Sequence, residues 1–211
     1  MIIQRTISKE ELKELPQVTF QGTIHVIQTE KEVTKAVNYL LKQRVVGIDS
    51  ETRPSFTKGQ SYKVALLQVS CEDCCFLFRL NLTGLTPPLI QLLESKRVMK
   101  IGLSLRDDFM MLRKRAQFKQ QACIELQDYV HDFGIQDKSL QKIYGILFGL
   151  KISKSQRLTN WEVETLTDPQ KVYAATDAWS CLNIYNLLEK LKQTGDYEFA
   201  EEEILENNDL P

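Results

Sequence analysis

Two acidic residues, Asp49 and Glu51, follow directly on the apolar run 45–48, where they would emerge from the end of a buried strand. Residues two positions apart in a strand point to the same side, so both carboxylates can bind one cation. Carboxylates beside a hydrophobic core are costly without a positive partner. The pair therefore predicts a site for a divalent metal ion, whose other ligands must come from elsewhere in the chain.

A third acidic residue, Asp177, lies within a predicted helix that we expect to begin with Asp168 as its N-cap and Pro169 at its first position. No Lys or Arg lies three or four residues from Asp177, so nothing on its own helix can pair with it. Tyr173 lies one turn earlier on the same face and can place its phenolic hydroxyl beside Asp177. The pattern predicts Asp177 as a further metal ligand, with Tyr173 next to it.

A fourth acidic position lies between these two, at the start of a predicted helix over 108–112. Ser104 and Asp107 have the spacing of a capping box, which would use the Asp107 carboxylate at the helix start. Asp108 is then spare, turned toward a different face, and the helix dipole favours a carboxylate there. We therefore expect Asp108, rather than Asp107, to be a metal ligand.

The acids and the tyrosine follow one another as Asp-x-Glu on a strand, an Asp after a strand and a turn, and Tyr-x-x-x-Asp on a late helix. This order resembles the DEDD superfamily of 3′→5′ exonucleases, in the branch that has the tyrosine. The stretches 63–68, 160–161 and 166–177 resemble the exonuclease domain of the Werner-syndrome helicase, and the likeness extends to the catalytic domain of ribonuclease D. The resemblance covers residues 24–190 and implies an α/β fold with a ribonuclease-H-like mixed sheet flanked by helices, the DnaQ-like exonuclease fold.

The resemblance also implies roles for the five residues. Asp49, Glu51 and Asp177 would bind one metal ion, and Asp49 and Asp108 a second. Oxygen ligands without His or Cys favour Mg²⁺ or Mn²⁺ for both ions. Tyr173 would orient the attacking water, and the products would be nucleoside 5′-monophosphates. The implied partner is nucleic acid with a free 3′ end, with DNA slightly favoured over RNA.

Four other residues are candidates for contact with the substrate. Ser50 and Thr52 flank the acid pair and can meet the terminal nucleotide through hydroxyl or backbone groups. Lys154, in a polar stretch with Arg157, can contact phosphates or belong to a solvated loop. Trp161 can stack on a base or pack in the core.

Among the elements that must position these residues, three predicted strands follow one another and are succeeded by alternating helices and strands. Thr29 and Glu32 form a predicted capping box for an amphipathic helix that ends near residue 43. The further predictions are strands at 45–49, 62–69, 74–80, 98–101 and 123–126, and helices at 86–94, 139–147 and 169–191. This pattern indicates a mixed sheet flanked by helices, but by itself it does not distinguish the ribonuclease-H-like fold from other α/β sheets.

Composition is that of a soluble globular chain, with 211 residues, 43% of them apolar and 26% charged. We divide it into an N-terminal extension (1–23), an exonuclease domain (24–192) and an acidic tail (193–211). Seven acids and no Lys or Arg lie in 196–211; the remainder has 27 basic and 21 acidic residues, which favours phosphate binding. The N-terminus lacks a continuous apolar segment, so we predict a cytoplasmic protein without a membrane partner.

Two other classes of function stay open. The stretch 49–52 resembles the opening motif of haloacid-dehalogenase-type phosphatases, and 107–108 their later acidic pair. Glu51, however, stands where that chemistry needs an Asp, and Tyr173 and Asp177 would have no role. The other class is a catalytically silent nucleic-acid-binding scaffold, whose binding would not depend on Mg²⁺. We expect a free-standing exonuclease, or one that acts with a separate protein partner.

Overall fold

The computed structural model describes residues 1–200, which form both strands and helices. Its strands are β1 (Ile2–Ile3), β2 (Gln17–Val18), β3 (Thr23–Ile27), β4 (Val45–Glu51), β5 (Leu66–Ser70), β6 (Cys74–Arg79), β7 (Met99–Gly102), β8 (Cys123–Glu125), β9 (Lys151–Ile152) and β10 (Glu198–Phe199). Its helices are α1 (Lys9–Glu14), α2 (Glu30–Leu40), α3 (Leu80–Thr83), α4 (Pro87–Glu94), α5 (Leu105–Leu112), α6 (Leu126–Tyr129), α7 (Leu140–Phe148) and α8 (Asp168–Thr194), with a 3-10 helix at Val130–Phe133.

Six of these strands form the central sheet, in the order β3-β6-β5-β4-β7-β8. β5 is antiparallel to both of its neighbours, and the other pairs in this sheet are parallel. Because β7 and β8 each follow a helix, they can return in the direction of β4 and lie parallel to it. The predicted mixed sheet flanked by helices is confirmed.

The two faces of the sheet are covered by different helices. On one face, Val46 and Ile48 of β4 pack in a core with side chains of α2, α4 and α5. On the other face, α8 lies across the central strands. Successive side chains of a strand point to opposite faces, so Asp49 and Glu51 point toward α8. The alternation that buries Val46 and Ile48 on one side thus turns both acids toward the helix that carries Asp177.

Gly47 allows α8 to lie directly on β4. A Cβ atom at this position would be 1.9 Å from the carbonyl oxygen of Ala178 and 3.1 Å from the Cβ of Leu182. Glycine is therefore required for this contact of backbone on backbone. Because Asp177 immediately precedes Ala178, the same contact sets how closely Asp177 approaches the acids of β4.

The start of α8 differs from the prediction. Thr167, not Asp168, is the N-cap, because its hydroxyl accepts a hydrogen bond from the Gln170 backbone N–H and the Gln170 side chain accepts one from the Thr167 backbone. Asp168 and Pro169 are then the first two helical residues, and Asp168 pairs with Lys171. Thr167 is the preferred N-cap because it forms a reciprocal capping box with Gln170, whereas Asp168 does not.

The start of α5 differs as well. Ser104 has a left-handed backbone, with φ 63°, and its side chain does not cap the helix, so the predicted box with Asp107 does not form. Instead, the Glu125 carboxylate accepts hydrogen bonds from the backbone N–H groups of Ser104 and Leu105, at 2.8 and 2.7 Å. A carboxylate from the neighbouring strand β8 thus satisfies the first donors of α5.

Each of the other predicted elements has a counterpart in the structure, but the short elements β1, β2, β9, β10, α1, α3 and α6 were not predicted. The capping box of Thr29 and Glu32 is confirmed. β5 begins at Leu66 rather than at residue 62, and the prediction has no strand where β3 pairs with β6 at one edge of the sheet. None of the helices in residues 1–200 combines the length and apolarity needed to span a bilayer.

The first and last described residues lie together, because β1 pairs with β10; β2 pairs with β9. Both pairs are parallel and join the N-terminal segment to later parts of the chain. The predicted domain boundaries at 23 and 192 stay predictions. Residues 201–211 of the predicted acidic tail lie outside the described residues.

Candidate active site

Three carboxylates meet at the C-terminal end of β4. Asp49, Glu51 and Asp177 each offer one oxygen, and these oxygens lie within 4.8 Å of one another. Among residues 1–200, none of the three forms an ion pair with Lys or Arg. Half-buried and buried carboxylates that lack such a partner are stabilised by a bound cation. A set of oxygen ligands alone fits Mg²⁺ or Mn²⁺, so the residues present suit the predicted metal ions.

Asp108 lies beside this cluster, in the first turn of α5. It is half-buried, whereas Asp107 is exposed. The hydroxyl of Ser50 donates a hydrogen bond to Oδ1 of Asp108, with an Oγ to Oδ1 distance of 2.5 Å. The structure therefore brings Asp108, and not Asp107, to the end of β4 where the other acids lie.

The acids have raised pKa values in the metal-free protein. Burial, followed by the charge of Asp108, raises the pKa of Asp49 well above its usual range. Burial and then the charge of Asp177 raise the pKa of Glu51 to about 9. Burial also raises the pKa of Asp177 to about 7 and that of Asp108 to about 6. The four carboxyl groups thus form one electrostatic cluster that a positive ion would stabilise.

Tyr173 places its hydroxyl against this cluster. Tyr173 and Asp177 lie one turn apart on α8, and each influences the pKa of the other. Burial, followed by the charges of Asp177 and Glu51, raises the pKa of Tyr173 above its usual value. Its phenol therefore stays protonated and able to donate a hydrogen bond at neutral pH.

The raised pKa values predict that the metal-free protein loses stability as the pH rises. In the unfolded chain these carboxyl groups titrate near pH 4, at about their usual values. In the folded cluster Glu51 holds its proton to about pH 9. The folded state therefore binds more protons than the unfolded state between these limits, and the free energy of unfolding falls as the pH rises through them. We expect the melting temperature in EDTA to fall between pH 5 and pH 9.

Two comparisons test this explanation. Mg²⁺ should raise the melting temperature more at pH 8 than at pH 5, because ligand binding stabilises the folded state and protons compete for the same carboxylates. Asp177→Asn removes one titrating charge and should flatten the pH dependence in EDTA. An equal slope in the wild type and in this variant would contradict the proposed origin of the effect.

The predicted substrate residues of the loop before α8 have different environments. Lys154 and Arg157 are exposed. The charge of Lys154 lowers the pKa of Asp177, and that of Arg157 lowers the pKa of Glu51, which partly offsets the effect of burial. Both side chains therefore act electrostatically on the acidic cluster. Trp161 is 0% exposed and packs against the aromatic ring of Tyr173. The indole has no face open to a base, so core packing, rather than base stacking, is its role.

The residues that flank the acid pair are half-buried. Thr52 follows Glu51 at the end of β4, and the Ser50 hydroxyl is engaged with Asp108 rather than open to a nucleotide. Glu125 is not among the predicted site residues, but it fixes the start of α5 and thereby the position of Asp108. No local signal could have identified it, because its place depends on β8 pairing with β7.

A sequence model of a family described as 3'-5' exonuclease matches residues 24–193, which include the four acids and Tyr173. The chain belongs to this family. Membership selects a nuclease, rather than a haloacid-dehalogenase-type phosphatase, as the class of enzyme. The assignment to the tyrosine branch rests on Tyr173 and stays a prediction.

Known proteins are similar to this chain in sequence or in fold. The mouse bifunctional 3'-5' exonuclease/ATP-dependent helicase WRN is 33% identical over 156 residues, which are 71% of this chain but only 11% of the mouse protein. The EXO domain of Nibbler from Aedes aegypti has a TM-score of 0.76 at 22% identity, covering 86% of this chain and 95% of that one. RNase D from Escherichia coli, described as an exoribonuclease involved in structured RNA processing, has a TM-score of 0.72 at 19% identity, covering 82% and 46%. The predicted exonuclease fold is confirmed.

Proposed function

We propose that this exonuclease hydrolyses the terminal phosphodiester at a free 3′ end of nucleic acid and releases nucleoside 5′-monophosphates with the help of two divalent cations. The observation that carries the proposal is the convergence of Asp49, Glu51 and Asp177 within 4.8 Å, with Asp108 beside them. These side chains come from a strand and two helices that are distant in the sequence. Their meeting in a family of 3'-5' exonucleases supports phosphodiester hydrolysis at this place.

The chain's own residues supply an environment of negative charge that two cations would complete. Asp49, Glu51 and Asp177 would hold one ion, and Asp49 and Asp108 would hold the other. When bound, such ions lower the pKa of a coordinated water and stabilise the charge that develops on the leaving oxygen. Whether Mg²⁺ or Mn²⁺ acts follows from availability, because both prefer the oxygen ligands present.

Tyr173 is proposed to hold the attacking water by its hydroxyl group, which lies on the same face of α8 as Asp177. Replacing Tyr173 with Phe removes this hydroxyl and keeps the ring that packs against Trp161. We expect turnover to fall by about 10- to 1,000-fold, because the attacking water is no longer held in position. This effect is smaller than that of removing a metal ligand, since both cations can still bind. Single-turnover rates at saturating Mg²⁺ measure this effect.

Tyr144→Phe provides a matched control for this prediction. Tyr144 is also buried, but its hydroxyl accepts a hydrogen bond from Asn183, away from the acids. This variant should keep the wild-type rate. If Tyr173→Phe were as active as Tyr144→Phe, the Tyr173 hydroxyl would have no role in the reaction.

Lys154 and Arg157 are proposed to bind backbone phosphates of the substrate. Both are exposed, and both act electrostatically on the acidic cluster, so they lie where a phosphate between the acids and solvent would pass. Thr52 is proposed to meet the terminal nucleotide, because it follows Glu51 directly. Contacts of this kind position a strand without reading its sequence.

The preference for DNA over RNA rests on the resemblance to the Werner-syndrome exonuclease domain. The structural similarity to RNase D makes RNA the necessary comparison. A cytoplasmic location and a separate protein partner also stay predictions.

The test is digestion of matched 5′-labelled DNA and RNA oligonucleotides, single-stranded and recessed duplex, with Mg²⁺, Mn²⁺ or EDTA. We expect a metal-dependent ladder that shortens from the 3′ end, with nucleoside 5′-monophosphates as products and DNA digested somewhat faster. Faster digestion of RNA would reverse the proposed preference for DNA, but it would still agree with the proposed exonuclease activity. Binding without shortening under every metal condition would instead identify a catalytically silent scaffold.

A further inference from the structure

Ser50 lies between Asp49 and Glu51 on β4, and its side chain points away from both of theirs. Side chains alternate along a strand, so Asp49 and Glu51 point toward α8 while Ser50 points toward the face where α5 begins. Its Oγ lies 2.5 Å from Oδ1 of Asp108, across 58 residues of sequence. The strand thus supplies two acids on one face and a hydroxyl for a third acid on the other.

The geometry of this contact indicates a strong hydrogen bond. An O–H group that donates to an ionised carboxylate has an oxygen-to-oxygen distance of about 2.5–2.7 Å, shorter than for neutral partners. A carboxylate has only acceptor atoms, so the Ser50 hydroxyl must be the donor to an ionised Asp108. The bond occupies Oδ1 and leaves Oδ2 of Asp108 for a cation.

Asp108 needs such a partner because its other charged neighbours are acids. It interacts electrostatically with Asp49 and Glu51 in the cluster and with Glu125, which caps the same helix. Like charges repel, so an ionised Asp108 side chain would be driven away from the end of β4 toward solvent. Glu125 holds the backbone at the start of α5, but the side chain of Asp108 is held by Ser50.

We propose that Ser50 is a positioning residue for the second cation, which acts by holding Asp108 toward the metal cluster. The inference rests on the proposed function, in which Asp49 and Asp108 share that cation. It assigns the Ser50 hydroxyl to Asp108 in place of the terminal nucleotide. Since Ser50 does not face the Asp49, Glu51 and Asp177 oxygens, its loss weakens the second cation site and spares the first.

The experiment counts bound Mn²⁺ by electron paramagnetic resonance in the presence of saturating deoxyadenosine 5′-monophosphate, whose phosphate stands in for the cleaved end. The wild type should bind two Mn²⁺. Ser50→Ala should keep the first affinity and weaken the second by about 10- to 100-fold, the usual effect of losing a group that orients a metal ligand. Ser50→Thr keeps the hydroxyl and should retain both affinities. Asp108→Asn should resemble Ser50→Ala or exceed it.

The possible outcomes separate this inference from the function on which it rests. Two Mn²⁺ in the wild type with both affinities unchanged in Ser50→Ala would overturn the role of Ser50 alone. An equal loss at both sites in Ser50→Ala and in Ser50→Thr would also overturn it, since the effect would then be on the fold. A single Mn²⁺ in the wild type would overturn the two-cation proposal itself and this inference with it.

Discussion

Asp177→Asn is expected to lower the rate of 3′-end hydrolysis by at least about 1,000-fold, because it removes a charged carboxylate from the cluster that is proposed to bind the cations. The asparagine side chain has the same size, so α8 and its contact with β4 should stay in place. The metal-free variant should also melt at a higher temperature than the wild type at pH 8, because one member of a group of repelling acids is gone. Single-turnover digestion and thermal melting in EDTA measure the two effects.

Asp168→Asn is the matched control on the same helix. Asp168 is exposed at the first position of α8, where it pairs with Lys171. This variant should keep the wild-type rate and show no gain in stability, since exposed ion pairs contribute about 0–1 kcal/mol. Full activity in Asp177→Asn would show that the catalytic cluster lies elsewhere.

Gly47→Ala is expected to damage both stability and activity. The added methyl group would lie 1.9 Å from the carbonyl oxygen of Ala178, so α8 must move away from β4. Forcing an extra carbon into a packed core costs about 3 kcal/mol or more in a rigid contact like this one. The melting temperature should fall by about 6–12 °C for a chain of this size. Since Asp177 moves with the helix, turnover should fall by about 100-fold in the protein that stays folded.

Gly149→Ala is the control for Gly47→Ala, because it replaces a glycine that does not contact another element. Gly149 has φ +63° at the end of α7, and a Cβ there meets no atom within 4 Å. Only backbone strain opposes the substitution, at about 1–2 kcal/mol, and activity should be kept. If Gly47→Ala lost no more stability than Gly149→Ala, the close packing of α8 on β4 would not be needed.

The acids could be predicted as candidate ligands from local patterns, because each pattern depends on a few neighbouring residues. The alternation of apolar residues in β4 places Asp49 and Glu51 on one side, and the period of α8 places Tyr173 and Asp177 on one face. The choice of Asp108 over Asp107 agrees with their exposure, although the capping box used to argue it does not form. The choice survives because the two residues still face different sides of α5.

The role of Trp161 could not be decided from the sequence. An aromatic residue near basic residues fits either a stacking platform or a core, and only its 0% exposure decides for the core. The capping of α5 by Glu125 is similar, because a carboxylate 20 residues further along the chain leaves no local signal. Such contacts depend on which strands pair, and pairing is set by the whole sheet.

By itself the sequence determined which side chains carry negative charge, which of them share a face of a strand or helix, and which family of nucleases they resemble. Tertiary structure alone decided that the acids meet within 4.8 Å, that Gly47 allows α8 to approach them, and that Ser50 holds Asp108. The physical reason is one of range. Helical and strand periods act over a few residues, whereas the acidic cluster depends on packing between a strand and two helices more than 50 residues apart.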